Sequence, residues 1–143
     1  MARVELELPE RFHFVTDMPV RITDINYGGH LGNDALLSLL HEARVQFLRH
    51  HGFTEMNIDR RSIIMADAVI LYKSEGFYGD VVRIEIAVSN LHSHGFDIFY
   101  KLTKKDAGIE LARAKTGILF FDYEKKKIVQ VPEKFKFLFS DRT

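Results

Sequence analysis

One stretch of the chain has clear helical periodicity: residues 33–51, which read NDALLSLLHEARVQFLRHH. Its apolar side chains recur at intervals of three and four residues, as they do along one face of an α-helix. They are Leu36, Leu37, Leu40, Ala43, Phe47 and Leu48. We expect Asn33 or Asp34 to cap the start of this helix and Gly52 to end it. At about 1.5 Å per residue the helix is roughly 27 Å long, and it needs a sheet to pack around it.

The chain after Ser62 has the alternating apolar and polar pattern of β-strands. The predicted strands cover residues 63–73, 82–88, 96–102 and 112–120. Short breaks with turn residues separate the last three, which indicates antiparallel neighbours in a meander, and residues 123–127 are interpreted as a turn. A further strand is predicted at residues 11–22 and a short helix at 132–139. The expected fold class is α+β, with an antiparallel sheet around one long helix.

Length and composition exclude several classes of protein. A chain of 143 residues is the size of one domain, so we expect a single domain over residues 1–143. Lys plus Arg and Asp plus Glu both count 20, so no overall positive charge attracts nucleic acid. No stretch approaches the roughly 18 apolar residues of a membrane helix, and a cytoplasmic protein is expected. The absence of Cys excludes a thiolate nucleophile and Cys-ligated metals.

The chemistry is expected in the segment before the helix, residues 21–34, which reads RITDINYGGHLGND. Its glycines allow a ligand to approach backbone N–H groups at the helix start, where a developing oxyanion can be held. They are Gly28, Gly29 and Gly32. The side chains with acid, base or hydrogen-bonding groups are Asp24, Asn26, His30, Asn33 and Asp34. Hydrolysis of an activated acyl group needs such groups, to orient water and to polarise a carbonyl. The alternative is a turn whose Asx side chains cap the helix.

The loop and the helix together form a longer motif, Arg21-x-x-Asp24-x-Asn26-x-x-Gly29-His30-x-x-Asn33 followed by Glu42-Ala43-Arg44. This motif resembles the acyl-CoA thioesterases of the hotdog fold, in particular the 4-hydroxybenzoyl-CoA thioesterase-like branch. The resemblance extends to Tyr72, the Gly79-Asp80 turn and Pro132-Glu133, so it spans nearly the whole chain. It implies a hotdog subunit that forms a homodimer by joining two sheets, often as a dimer of dimers. It also implies hydrolysis of a coenzyme A or acyl carrier protein thioester without a metal or organic cofactor.

One position departs from the family's pattern. Much of the branch has two acids separated by one residue, and the second is the catalytic carboxylate, whereas this chain has Asp24 and then Asn26. An amide carries no charge that activates water. Three alternatives follow. In the first, Asn26 orients water or the carbonyl while Asp24, Asp34 or Glu42 is the base. In the second, His30 is the base, since imidazole ordinarily titrates near neutrality. In the third, the protein binds acyl groups without hydrolysing them.

Two further carboxylates are reserve candidates for the base. Asp67 interrupts an apolar strand, so it either faces away from the core or is buried and perturbed, as functional acids often are. Glu42 lies two turns into the helix, roughly 12–13 Å along its axis from the helix start. It therefore either faces a site shared with another subunit or is an exposed ion-pairing residue, with Arg49 as one partner. The remaining histidines have no spacing typical of a metal site.

Overall fold

The structure is a computed structural model that describes residues 4–140, so the ends of the expected domain, residues 1–3 and 141–143, lie outside the described residues. Within this range the chain forms six strands and two α-helices, which confirms the α+β class. They are β1 (Phe14–Pro19), α1 (Asn33–His50), β2 (Ser62–Tyr72), β3 (Val81–Ser89), β4 (Gly95–Lys104), β5 (Ile109–Asp122), β6 (Lys127–Ile128) and α2 (Glu133–Phe139). Neither helix is both long and apolar enough to cross a membrane.

The strands form one antiparallel sheet in the order β1-β3-β4-β5-β2. β3, β4 and β5 are sequential neighbours, which confirms the predicted meander. β2 lies on the far side of β5, where Ser62 pairs with Phe121 and Tyr72 pairs with Ala112. The two-residue strand β6 pairs with the end of β5, so the prediction that the turn continues through residue 127 was wrong. Two residues are too few to produce an alternating pattern.

β1 is shorter than the predicted strand at residues 11–22. It ends at Pro19, although the next N–H, that of Val20, still donates to the Asp80 carbonyl (2.8 Å). The chain then makes a 3₁₀ turn over Ile22–Asp24. This turn directs the following loop, residues 25–32, towards the start of α1.

α1 has 18 residues and places most of its predicted apolar face in the core. Leu37 is the exception because its side chain is 47% exposed, and Leu39 is buried in its place. α2 contributes Phe135 and Phe139 to the same core. The ring of Phe135 lies 4.5 Å from that of Phe96, measured between centroids, so α2 closes one end of the core with aromatic contacts.

The expected side-chain cap at the start of α1 was wrong. The N-cap is Gly32, and no side chain caps the helix. The N–H of Gly32 donates to the Asp24 carbonyl (2.9 Å) and its own carbonyl accepts from Leu36 (3.0 Å). Asn33 and Asp34 therefore already belong to the first helical turn. At the other end Gly52 has the predicted left-handed conformation (φ 79°), and the helix stops at His50.

A buried polar network connects α1 to the sheet. Arg44, only 5% exposed, donates to Glu55 Oε2 (2.9 Å) and to the Tyr100 hydroxyl (3.1 Å). That hydroxyl also bonds to Thr116 Oγ1 (2.8 Å). Burial opposes ionisation of Glu55, but hydrogen bonds from Arg44 and His41 outweigh it and lower the pKa of this carboxyl. The network therefore fixes a charged pair where α1, β4, β5 and the loop after α1 meet.

Candidate active site

Asn26 organises the loop between the 3₁₀ turn and α1. Its Oδ1 accepts hydrogen bonds from the N–H groups of Gly28 (3.0 Å) and His30 (3.2 Å), and its own N–H donates to the His30 carbonyl (2.8 Å). Because both side-chain partners are donors, the orientation of the amide is fixed. The Nδ2 group is left as a donor for which residues 4–140 provide no acceptor.

The predicted glycines use their N–H groups inside the loop. Those of Gly28 and Gly29 donate to Oδ1 and the carbonyl of Asn26, and that of Gly32 donates to Asp24. The N–H groups of residues 33–35 have no acceptor in the described part of the chain. They begin an 18-residue helix, so they carry the positive end of its dipole. The unpaired backbone donors at this site are therefore in the first helical turn.

A cavity of about 210 Å³ lies beside this loop. Its polar lining consists of Asn26, His30, Asn33, Tyr72, Ser74 and Glu75. Its other lining residues are Leu31, Leu36, Gly76, Leu111 and Ala112. The cavity thus brings three of the predicted site residues together with a second wall from β5 and the end of β2. A small apolar cavity with convergent polar groups is typical of a ligand site.

The second wall contains a carboxylate that sequence reasoning missed. Glu75 lines the cavity, and its Oε2 lies 3.4 Å from Nδ1 of His30. A backbone hydrogen bond from Leu31 to Gly76 (2.7 Å) joins the two walls beside this pair. The sequence signal was slight: an acid followed by glycine, directly after a predicted strand.

Asp24 is buried at the end of the 3₁₀ turn and is bonded to Arg21. Its carboxylate accepts from the Arg21 backbone N–H (2.8 Å), Nε (3.3 Å) and Nη2 (3.2 Å). Burial alone would raise the pKa of Asp24, but these bonds and the charge of Arg21 outweigh it, and the pKa is lowered. Neither Asp24 nor the exposed Asp34 lines the cavity.

The reserve carboxylates also lie away from the cavity. Asp67 is exposed at a bulge in β2, so it faces away from the core. Its Oδ1 accepts from Lys115 Nζ (2.8 Å) and the Gly117 N–H (3.0 Å), and the bond from Lys115 is the main reason that the pKa of Asp67 is lowered. Glu42 is exposed on α1 and accepts from Gln46 (2.8 Å), whereas Arg49 had been the expected partner.

Other features of the surface carry less chemistry. A groove of about 1100 Å³ runs between residues 9–13 and α2, but none of the predicted site residues lines it. Within residues 4–140, no three potential metal-ligating side chains cluster together. The cavity beside Asn26 is therefore the candidate active site.

Comparison with known proteins supports the assignment of the fold. Residues 20–138 match the family model of the thioesterase-like superfamily. A 1,4-dihydroxy-2-naphthoyl-CoA thioesterase from Synechocystis is 20% identical, with a TM-score of 0.81 over 90% of this chain and 96% of that one. A hypothetical protein from Aquifex aeolicus is 25% identical, with a TM-score of 0.80 over 90% and 100%. A probable thioesterase from Escherichia coli is 18% identical, with a TM-score of 0.71 over 87% and 94%.

A search of curated proteins gave no match. The family match covers far more than half of the chain and includes the loop, α1 and the whole sheet from β2 to β5. It agrees with the resemblance carried by the Asp24 to Asn33 motif. The chain belongs to the thioesterase-like superfamily.

Proposed function

We propose that the chain is a cytoplasmic thioester hydrolase, a single hotdog domain over residues 1–143 with α1 as its central helix. Its substrates are acyl groups carried by coenzyme A or by acyl carrier protein, and no metal or organic cofactor takes part. One observation carries the proposal: the residues that line a single cavity include two with unpaired hydrogen-bond donors and two with titratable side chains. The donors belong to Asn26 (Nδ2) and Asn33 (N–H), and the titratable side chains are those of His30 and Glu75. Membership of the thioesterase-like superfamily supports it.

The donors suit the charge that develops during hydrolysis. When water attacks a thioester, the carbonyl oxygen becomes negative, and fixed donors stabilise it without reorganisation. Asn26 Nδ2 and the Asn33 N–H are such donors, and the dipole of α1 adds partial positive charge at the same place. The apolar side chains of Leu31, Leu36 and Leu111 form the part of the cavity that suits an acyl group.

Release of free thiol from a panel of acyl-CoAs tests this function. The panel includes short, medium, long-chain and aromatic acyl groups, and matching acyl carrier protein thioesters. Because the cavity is smaller than the roughly 300 Å³ at which drug-sized ligand pockets begin, we expect compact acyl groups to react fastest. Purified protein that releases no thiol from any member of the panel contradicts the proposal.

Replacing Asn26 with Ala is expected to lower kcat by roughly 10²–10³, the usual effect of removing one oxyanion donor. Substrate binding should change little, because the apolar lining remains. Asn57→Ala is the matched control, since Asn57 Oδ1 likewise accepts a loop N–H, that of Arg60 (2.9 Å), outside the cavity. Steady-state kinetics of the two variants separate the loss of an oxyanion donor from the loss of a hydrogen bond within a loop. Near-normal kcat in Asn26→Ala would exclude Asn26 as an oxyanion donor.

A thioester-binding protein without turnover is the second candidate. The observation in its favour is that Asn26 occupies the position of the family's catalytic carboxylate, and its side-chain oxygen accepts hydrogen bonds from two loop N–H groups. Saturable binding of an acyl-CoA, measured by calorimetry, with no thiol release from the same sample would favour this candidate over hydrolysis.

We also propose that two copies of the chain pair through β2. β2 is an 11-residue edge strand, and its exposed residues include Met65 (45%) and Tyr72 (54%). Long apolar edge strands are normally covered, because their free N–H and C=O groups invite another strand. The opposite edge, β1, has six residues and ends at Pro19, so it is the poorer partner. Antiparallel pairing of two β2 strands covers the apolar edge of both copies.

Met65→Lys is expected to shift the protein from dimer to monomer, because it places a charge in the middle of the proposed contact. Val15→Lys is the matched control: Val15 is equally an exposed apolar residue of an edge strand, but it lies on β1. Light scattering coupled to gel filtration gives the mass of each variant. A monomeric wild-type protein, or equal dissociation of both variants, contradicts pairing through β2.

A further inference from the structure

His30 presents one ring nitrogen to Glu75. Its Nδ1 is buried and has no hydrogen-bond partner among the described residues, and the nearest charged atom is Glu75 Oε2 at 3.4 Å. The imidazole packs against the ring of Phe77, with centroids 5.2 Å apart, and Lys104 Nζ lies 5.0 Å from that ring's centroid. No residue within 4–140 hydrogen-bonds to Nε2. The ring is thus held between a carboxylate and an aromatic face, with Nε2 unpaired.

The backbone on both sides of Glu75 is fixed. Ser74 donates its N–H to the Leu111 carbonyl (3.1 Å) and its hydroxyl to the Glu110 carbonyl (2.9 Å). Gly76 accepts the Leu31 N–H (2.7 Å), and a Cβ at this glycine would lie 3.1 Å from the Cβ of Leu31. Because the chain is tied to β5 before Glu75 and to the loop after it, the backbone of Glu75 is held beside His30.

The other candidate carboxylates are committed elsewhere or lie outside the cavity. Asp24 is bonded to Arg21 and Asp67 to Lys115, and Glu42 accepts from Gln46. Among the described residues, Glu75 is the one acid that lines the cavity.

We propose that His30 is the general base of the hydrolysis and that Glu75 is the residue that positions it; this inference rests on the proposed function. The charge of Glu75, whose Oε2 lies 3.4 Å from Nδ1, favours the neutral tautomer with its proton on Nδ1, which leaves Nε2 as the proton acceptor. As the water oxygen bonds to the thioester carbon, Nε2 takes one water proton and the carbonyl electrons move to oxygen. When they return, the C–S bond breaks, and the departing sulfur takes the proton from Nε2. The products are a carboxylic acid and a thiol, and Glu75 remains a carboxylate throughout.

The kinetics of His30→Gln test the base directly. We expect kcat to fall by roughly 10²–10⁴, the usual contribution of a positioned acid or base, with little change in KM. The loss of kcat/KM on acidification through the range where imidazole titrates should disappear in this variant. Added imidazole should restore part of the activity of His30→Ala. Restored activity would also show that this variant is folded.

Glu75→Gln separates positioning from a structural role. The Glu75 side chain is exposed, so this isosteric change should leave the fold intact. The charged groups around the imidazole are Glu75 and, behind Phe77, Lys104. Loss of the carboxylate charge beside Nδ1 should lower kcat while KM holds, and Glu75→Asp, which keeps the charge, should retain more activity than Glu75→Gln. Wild-type kcat in Glu75→Gln overturns the role of Glu75.

His41→Gln is the matched control, because His41 Nε2 also contacts a glutamate, Glu55 (2.7 Å), but outside the cavity. It should have wild-type kinetics. A wild-type protein that hydrolyses no thioester overturns the proposed function and this inference with it. A wild-type protein that hydrolyses thioesters while His30→Gln keeps its rate and its pH profile overturns only the assignment of the base.

Discussion

Phe135→Ala is expected to lower the free energy of unfolding by about 4 kcal/mol, within the range for deleting a buried phenylalanine. Phe135 is fully buried, and its ring lies 4.5 Å from Phe96, 4.7 Å from Phe139 and 5.4 Å from Phe120, measured between centroids. α2 has seven residues, too few to be stable as an isolated helix, so it depends on these contacts. The substitution leaves a cavity and releases α2 from the core.

Urea unfolding followed by circular dichroism measures the loss. Leu138→Ala in the same helix is the control, because its side chain is 40% exposed and its truncation should cost much less. Both substitutions introduce Ala, the residue with the highest helix propensity, so neither weakens α2 through propensity and a greater cost for Phe135→Ala reports its burial. Similar losses in the two variants would mean that the aromatic cluster contributes little to stability.

Glu55→Gln is expected to cost about 3 kcal/mol, the lower end of the range of about 3–5 kcal/mol for breaking a buried ion pair. The substitution leaves the buried Arg44 guanidinium without its carboxylate charge, and its remaining acceptors, the glutamine amide oxygen and the Tyr100 hydroxyl, are neutral. We choose the lower end because Glu55 is itself partly exposed and water replaces some of the lost interaction. Since Arg44 ties α1 to the sheet, the helix that begins beside the candidate site loses a buried polar contact.

Two comparisons make this result specific. Asp17→Asn breaks surface pairs with Lys105 (2.8 Å) and Arg83 (3.3 Å) and should destabilise the protein much less than Glu55→Gln. The double variant Arg44→Met with Glu55→Leu removes both charges and should be more stable than Glu55→Gln alone.

The contribution of Glu55 to stability should also depend on pH. Because its pKa is lowered in the folded state, the contribution is complete above the ordinary value of 4.5 and is lost as the pH falls below it.

A double variant no more stable than Glu55→Gln would show that the cost is not that of an unpaired buried charge. Denaturant midpoints at constant slope are the appropriate measurement, because a changed slope indicates a change in the unfolded state or in cooperativity.

The sequence predicted the elements whose side chains alternate or recur over many residues. α1 and the meander of β3 to β5 have long, regular patterns, and their bounds differ from the predictions by a few residues at most. The N-cap was mispredicted because residue type alone favours Asn33 and Asp34, whereas the backbone bond between Gly32 and Asp24 decides where the helix begins. Leu37 was assigned to the core because it lies next to the true apolar face.

The sequence predicted the loop residues of the candidate site but not the residues of its second wall. Asn26, His30 and Asn33 are close in sequence and share one loop, so their proximity follows from local spacing. Glu75 lies more than forty residues later, and it reaches His30 because β2 pairs with β5 and Gly76 accepts the N–H of Leu31. The alternating pattern of a strand does not state which residues of another strand it pairs with, so the position of Glu75 opposite His30 does not follow from it.

The two walls of the cavity differ in how they are held, and this difference has a consequence for motion. One wall belongs to the long ladder between β2 and β5, whereas the other is a loop held by the Asn26 side chain and a few backbone bonds. Amides in such a ladder exchange with solvent only through large openings, whereas those in a short loop exchange through small local ones. We therefore expect a ligand to enter the cavity through fluctuation of residues 26–32 while the sheet stays fixed, and we expect an acyl-CoA to slow amide exchange in that loop first.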